Sequence, residues 1–106
     1  MKVIYLSAGG ARMYVISYDI SSDSIRTKIA KELSNYGRRI QYSVFECELD
    51  KSRFQKLYSS LCQLAASMEN GNIKIYQICE NCQKKIQIIG IPNSDEKYKT
   101  EEVIVI

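Results

Sequence analysis

Residues 13–21 read Met-Tyr-Val-Ile-Ser-Tyr-Asp-Ile-Ser, and Tyr14, Ile16 and Tyr18 alternate there with Val15, Ser17 and Asp19. A period of two is that of a strand with one face buried. Because successive side chains leave a strand on opposite sides, this stretch predicts a first strand with an aromatic-aliphatic face, ending in an acid. Two readings of Asp19 are open. Strand ends hold groups on a rigid base, which suits chemistry; an Asp also opens a strand-to-helix turn.

Working outward, residues 21–24 (Ser-Ser-Asp-Ser) offer helix N-caps, and Ile25, Ile29, Leu33 and Tyr36 then recur at helical spacing. Gly37 is the expected C-terminal stop. The other face carries Arg26, Lys28 and Lys31, with Arg38 and Arg39 beyond the glycine; against Glu32 alone, residues 24–41 hold five positive charges and one negative. Such a run is either a solvated helix face or a phosphate-binding surface. Residues 38–49 are extended by composition, but Ile40, Tyr42 and Val44 share one parity and Phe45, Cys47 and Leu49 the other. The buried side must therefore change near residues 43–45, through a bulge, a bend or a break into two strands, unless both faces are covered.

Asp50 caps a second helix whose Phe54, Leu57, Tyr58, Leu61, Leu64, Ala65 and Met68 form one apolar stripe, closed by Asn70-Gly71. Ile73, Ile75 and Ile78 predict a strand, residues 86–91 another, and residues 80–85 a short polar link between them. After a polar loop, the chain finishes Val103-Ile104-Val105-Ile106, an apolar tail that has to pair with a sheet edge; exchange with a neighbouring copy is the preferred arrangement. The order β-α-β-α-β-β-β, with the second β bent or split, predicts an α+β sandwich, two helices on a mainly antiparallel sheet.

At 106 residues the chain has room for one domain, and a net charge of +3 does not by itself announce a nucleic-acid binder. Residues 1–12 are expected to lie outside that domain, which spans 13–106; their apolar piece is too short for a secretory signal. With no run long enough for a membrane span, the expected location is cytoplasmic, without a membrane partner. There is no histidine, which excludes histidine catalysis and histidine metal ligation. Cys47 and Cys62 fall in apolar patterns and are expected in the core, whereas Cys79-Glu80-Asn81-Cys82 has the spacing of a structural turn, half a zinc site or a redox pair. The chemistry left is that of a carboxylate among basic and hydroxyl groups: Asp19, with Ser17, Ser21, Tyr18, Arg26, Arg39 and Ser43 as company. Mg²⁺ commonly takes one or two carboxylates plus phosphates and waters, so two copies of Asp19 across a two-fold axis make a plausible site.

Tyr18-Asp19-Ile20-Ser21, Arg26, residues 36–46 (Tyr-Gly-Arg-Arg-Ile-Gln-Tyr-Ser-Val-Phe-Glu) and residues 75–82 (Ile-Tyr-Gln-Ile-Cys-Glu-Asn-Cys) together resemble the CRISPR-associated endoribonuclease family, the small second ("Cas-two") protein of the spacer-acquisition module. The resemblance implies a ferredoxin-like fold and a symmetric homodimer with an extra C-terminal strand exchanged. It also implies a cytoplasmic role beside the CRISPR integrase and Mg²⁺- or Mn²⁺-dependent cleavage of single-stranded RNA or double-stranded DNA. Asp19 matches the metal-binding acid, and Tyr18, Arg26, Arg39, Ser43 and Phe45 match catalytic-site positions; Lys28 stands where some members carry Arg. Nucleic acid is expected on Arg26, Lys28, Lys31, Arg38 and Arg39. Three other functions compete: a non-catalytic DNA-binding scaffold of the integration complex, a toxin-type ribonuclease of the same fold, and a ligand-binding regulatory module, the last disfavoured by the missing glycine-rich loop.

Overall fold

The computed structural model describes residues 11–90 and 103–104. Strand β1 (Arg12–Asp19) leads through α1 (Asp23–Ser34) to β2 (Arg38–Gln41) and β3 (Val44–Leu49). Then come α2 (Lys51–Ala65), β4 (Asn72–Ile78), the single turn α3 (Glu80–Gln83) and the short strands β5 (Ile88–Ile89) and β6 (Val103–Ile104). Four strands make one sheet in the order β2-β3-β1-β4, with every neighbouring pair antiparallel. This is the expected α+β sandwich in ferredoxin-like order.

Local chemistry starts both helices where expected. The Ser22 hydroxyl accepts the Ile25 N–H at 3.3 Å and the Asp50 carboxylate accepts the Arg53 N–H at 2.8 Å, each relieving an orphan donor of a first turn. Packing follows the alternation of β1. Tyr14, Ile16 and Tyr18 lie buried with Phe45, Cys47 and Leu49 of β3 under Ile29 and Leu33 of α1 and Leu57 and Leu61 of α2. Each such aliphatic or aromatic side chain contributes about 1.5–3 kcal/mol by leaving water. The Tyr14 and Phe54 rings stack at 4.3 Å between centroids and tie α2 to the sheet. Of the two cysteines expected inside, Cys47 is in this core, but Cys62 is exposed on α2.

One detail corrects the sequence reading, and a second decides between its alternatives. Gly37 is not a left-handed helix stop: α1 ends at Asn35 in right-handed geometry, and Gly37 lacks a positive φ. A β-carbon at Gly37 would sit 2.1 Å from the Glu46 carbonyl oxygen and 2.5 Å from the Cys47 sulfur, so glycine is required there by the closeness of β3. The parity switch in residues 38–49 is a hairpin. Gln41 pairs with Val44, leaving Tyr42-Ser43 as the turn, and the register shifts between Arg39 and Gln41.

The described part of the tail, Val103–Ile104, pairs in parallel with Ile88–Ile89 of the same chain as a separate two-stranded sheet. The rest of the tail and residues 1–10 lie outside the described residues. The link expected between β4 and β5 holds the helical turn α3.

Candidate functional site

The period of two in β1 divides the candidate residues between the two faces of the sheet. Tyr18 is buried on the helix side, whereas Asp19 is exposed at the strand tip. The register places Asp19 opposite Asn72 and Ser17 opposite Lys74, so the acid belongs to the face that α1 and α2 leave uncovered. The same face carries Val15, Val44 and the half-exposed Tyr76.

The backbone beneath Asp19 is fixed from two directions. Gly71 has φ +92°, and a β-carbon there would come within 2.4 Å of the Asp19 carbonyl oxygen, so the turn into β4 closes directly onto the acid. On the other side, Arg26 donates from Nη1 to the Ile20 carbonyl at 2.8 Å and to the Ser21 carbonyl at 3.4 Å, while Nη2 pairs with Asp23. The Ser21 hydroxyl donates to Asn70 Oδ1 at 2.8 Å, joining the loops after β1 and α2. Arg26, expected to contact substrate, uses Nη1 and Nη2 to position this loop.

On the helix side, Arg39 Nη2 donates to the Tyr18 hydroxyl at 3.2 Å. Its guanidinium carbon lies 5.2 Å from the Phe45 ring centroid and 5.9 Å from that of Tyr42, within cation–π range. Phe45 is only 1% exposed; it is a platform for Arg39 and cannot itself touch a substrate. Ser43 contributes its backbone carbonyl, which accepts the Tyr18 N–H at 3.1 Å. Tyr18, Arg26, Thr27, Ala30, Arg39 and Tyr42 line an open cleft of about 330 Å³ between α1 and the hairpin. A fixed cation beside an exposed aromatic ring (Tyr42, 79% exposed) suits a phosphate next to a base.

The expected basic patch is also divided. Lys28 and Lys31 are exposed on α1, and Arg39 projects on the same side of the sheet. Arg38 projects through the opposite face, where it bonds the buried Glu46 carboxylate at 3.2 Å. Its place is in an ion pair of the fold. Tyr42, Thr27, Asn70 and Gly71 escaped the sequence reading. The signals for them are the place of Tyr42 inside residues 36–46 and the Asn70-Gly71 dipeptide, which also marks a helix end.

Among the described residues no three His, Cys, Asp or Glu side chains come together as metal ligands. A closed zinc site of the kind weighed from the four cysteines does not form among them. Cys47 is buried, and the loss of hydration pushes its thiol up to about 11, with Glu46 adding to the rise and Arg53 opposing it. It is a packing residue, unsuited to act as a nucleophile.

No helix among the described residues is long and apolar enough to cross a membrane. The profile of the family described as "CRISPR associated protein Cas2" matches residues 12–86. The chain is 46% identical over 77 residues to the CRISPR-associated endoribonuclease Cas2 1 of Chloroflexus aurantiacus, covering 73% of this chain and 83% of that one. Streptococcus pyogenes Cas2 superposes with a TM-score of 0.63 at 26% identity, over 74% of this chain and 99% of the other. A chain of a solved partial Cas6-RT-Cas1–Cas2 complex superposes with a TM-score of 0.60 at 30% identity, over 67% and 82%. Sheet order, β1 tip and sequence agree, and the chain belongs to the CRISPR-associated Cas2 family.

Proposed function

We propose that the protein is a CRISPR adaptation nuclease that works as a symmetric pair of chains, with Asp19 of each copy brought together across the uncovered sheet faces. The observation that carries this reading is the position of Asp19: an exposed carboxylate at a braced strand tip, in a family whose relatives are named endoribonucleases. One carboxylate is a poor site for a hard divalent cation, but two, completed by waters and substrate phosphate, fit the donor set Mg²⁺ or Mn²⁺ takes. Such an ion supplies an activated water and neutralises charge developing on the scissile phosphate.

This chain's own residues do the rest. Arg26 and Gly71 hold the backbone that aims Asp19. The half-buried Val15 and Val44 and the ring of Tyr76 supply apolar surface for a second copy around it. The β5–β6 pair stands outside the main sheet and is the segment we assign to exchange or bridging with that copy. Lys28, Lys31 and Arg39 neutralise phosphates along a nucleic acid, either single-stranded RNA or double-stranded DNA. The expected protein partner is the Cas1 integrase, supported by the likeness to a chain solved in a complex containing Cas1. The same likeness favours a second reading, a non-catalytic DNA-binding scaffold of the integration complex.

The deciding assay is cleavage of labelled RNA and duplex DNA with Mg²⁺, Mn²⁺ or chelator, beside Asp19→Ala. The nuclease reading expects metal-dependent cutting that falls at least about a hundredfold in the variant, with binding retained. Cutting that survives the substitution or the chelator refutes the paired-carboxylate site. Binding without cutting under every condition leaves the scaffold.

A further inference from the structure

The C-x-x-C pair plays no part in the proposed nuclease. Cys79 and Cys82 are both exposed, outside the core that buries Cys47. Cys79 lies in extended backbone at the start of α3, and its sulfur turns back to accept the Cys82 N–H at 3.2 Å. The Cys79 sulfur is thus already turned toward the backbone of Cys82 at the solvent surface. Residues three apart on a helical turn hold their β-carbons roughly 5–6 Å apart, and a disulfide asks for about 3.5–4.5 Å. Little movement of a one-turn helix closes that difference.

We propose that Cys79 and Cys82 form a thiol–disulfide exchange site whose substrates are small-molecule disulfides of the glutathione type. Cys79 is the attacking sulfur. The hydrogen bond from the Cys82 N–H, with the positive charge of Lys85 nearby, holds its ionisation below the ordinary thiol value. Cys82 is held above its ordinary value by the neighbouring Cys79 sulfur, which suits the resolving thiol.

The Cys79 thiolate attacks one sulfur of the small disulfide. A mixed disulfide forms and one thiolate leaves, to be protonated by solvent. Cys82 then loses its proton and attacks the Cys79 sulfur, so the intramolecular bond forms and the second small thiol departs. The protein gives up two electrons and two protons, and the small disulfide takes them to become two thiols. The new bond lies at the turn where the chain leaves β4 on its way to β5.

The test uses the full chain, fully reduced and then equilibrated with graded ratios of oxidised to reduced glutathione. Acid quenching and mass mapping of alkylated thiols follow. Wild type should acquire an internal Cys79–Cys82 bond, retain no glutathione there, and revert on adding a thiol reductant. Cys82→Ser should trap glutathione on Cys79. Cys79→Ser should carry no more glutathione on Cys82 than on the exposed Cys62. Near neutral pH, Cys79 should react with an alkylating agent several-fold faster than Cys62. Glutathione accumulating on both cysteines of wild type without an internal bond, or identical behaviour of the two serine variants, overturns the proposal. So does a Cys79 rate no higher than that of Cys62.

Discussion

Gly37→Ala tests how the fold aims the helix-side residues. The added β-carbon would stand 2.1 Å from the Glu46 oxygen and 2.8 Å from the Cys47 α-carbon, both backbone atoms of β3. Carbon and oxygen in contact without a bond keep about 3.3 Å or more between them, so the strands must part by roughly 1 Å. Neither atom is the end of a flexible side chain, and the shift passes into the β2–β3 pairing and the buried Cys47. Overpacking of this kind costs about 1–3 kcal/mol, and more where backbone must move. We take about 3 kcal/mol, a large part of the roughly 5–15 kcal/mol expected for a domain. Urea denaturation of both proteins at one fixed chain concentration should show the midpoint falling by about 2–3 M, at a slope of about 1–1.5 kcal/mol/M. Arg39 follows two residues later, so binding of a labelled oligonucleotide should weaken as well. A midpoint unchanged within about 0.3 M would refute the close-approach argument.

Two further outcomes follow from the sheet faces and the core. Arg39→Gln should weaken nucleic-acid binding several-fold and reduce the salt slope by about one, measured by anisotropy from low to moderate salt. Arg38→Gln should leave that slope unchanged and cost about 1–3 kcal/mol by removing a cation from the buried Glu46. Equal slopes for both variants would refute the division of the two arginines. The thiol of Cys47, pushed up from 9.0 to about 11 by burial, keeps its proton in the folded chain after the unfolded chain has lost it. Its contribution is intact below about pH 9 and is lost as pH climbs through about 11, a loss of roughly 2–3 kcal/mol. The stability difference between wild type and Cys47→Ala, from urea melts under reductant, should therefore narrow over that window. Parallel curves would remove burial as the cause.

The first strand and both helices were legible because hydrophobic periodicity and capping act locally. The hairpin was legible only as the change of parity near residues 43–45, since Tyr42-Ser43 lacks the Gly or Asn that marks tight turns; the pairing of β2 with β3 is what separates a break from a bulge or a bend. Gly37 misled for a related reason: a glycine after a helix is usually read as conformational freedom, but here a strand met later in the chain demands its missing side chain. The candidate site carried its own warning. Alternation already sent Tyr18 and Asp19 to opposite faces, and grouping them by proximity in sequence overrode it. The positioning role of Arg26 depends on carbonyl directions that no residue pattern encodes.

The contact of Gly71 with the Asp19 backbone also bears on when the site comes into being. The Ser21–Asn70 bond there joins residues 49 apart in sequence, and β1 meets β4 only after both helices and the hairpin have been made. Closing so long a loop is slow and becomes favourable only as the last main strand docks. During synthesis, Asp19 would emerge early yet remain unaimed until β4 arrives. A ribosome-bound or truncated chain lacking β4 would therefore carry the acid without its supporting frame. Competence should appear in one late step of folding instead of growing with chain length.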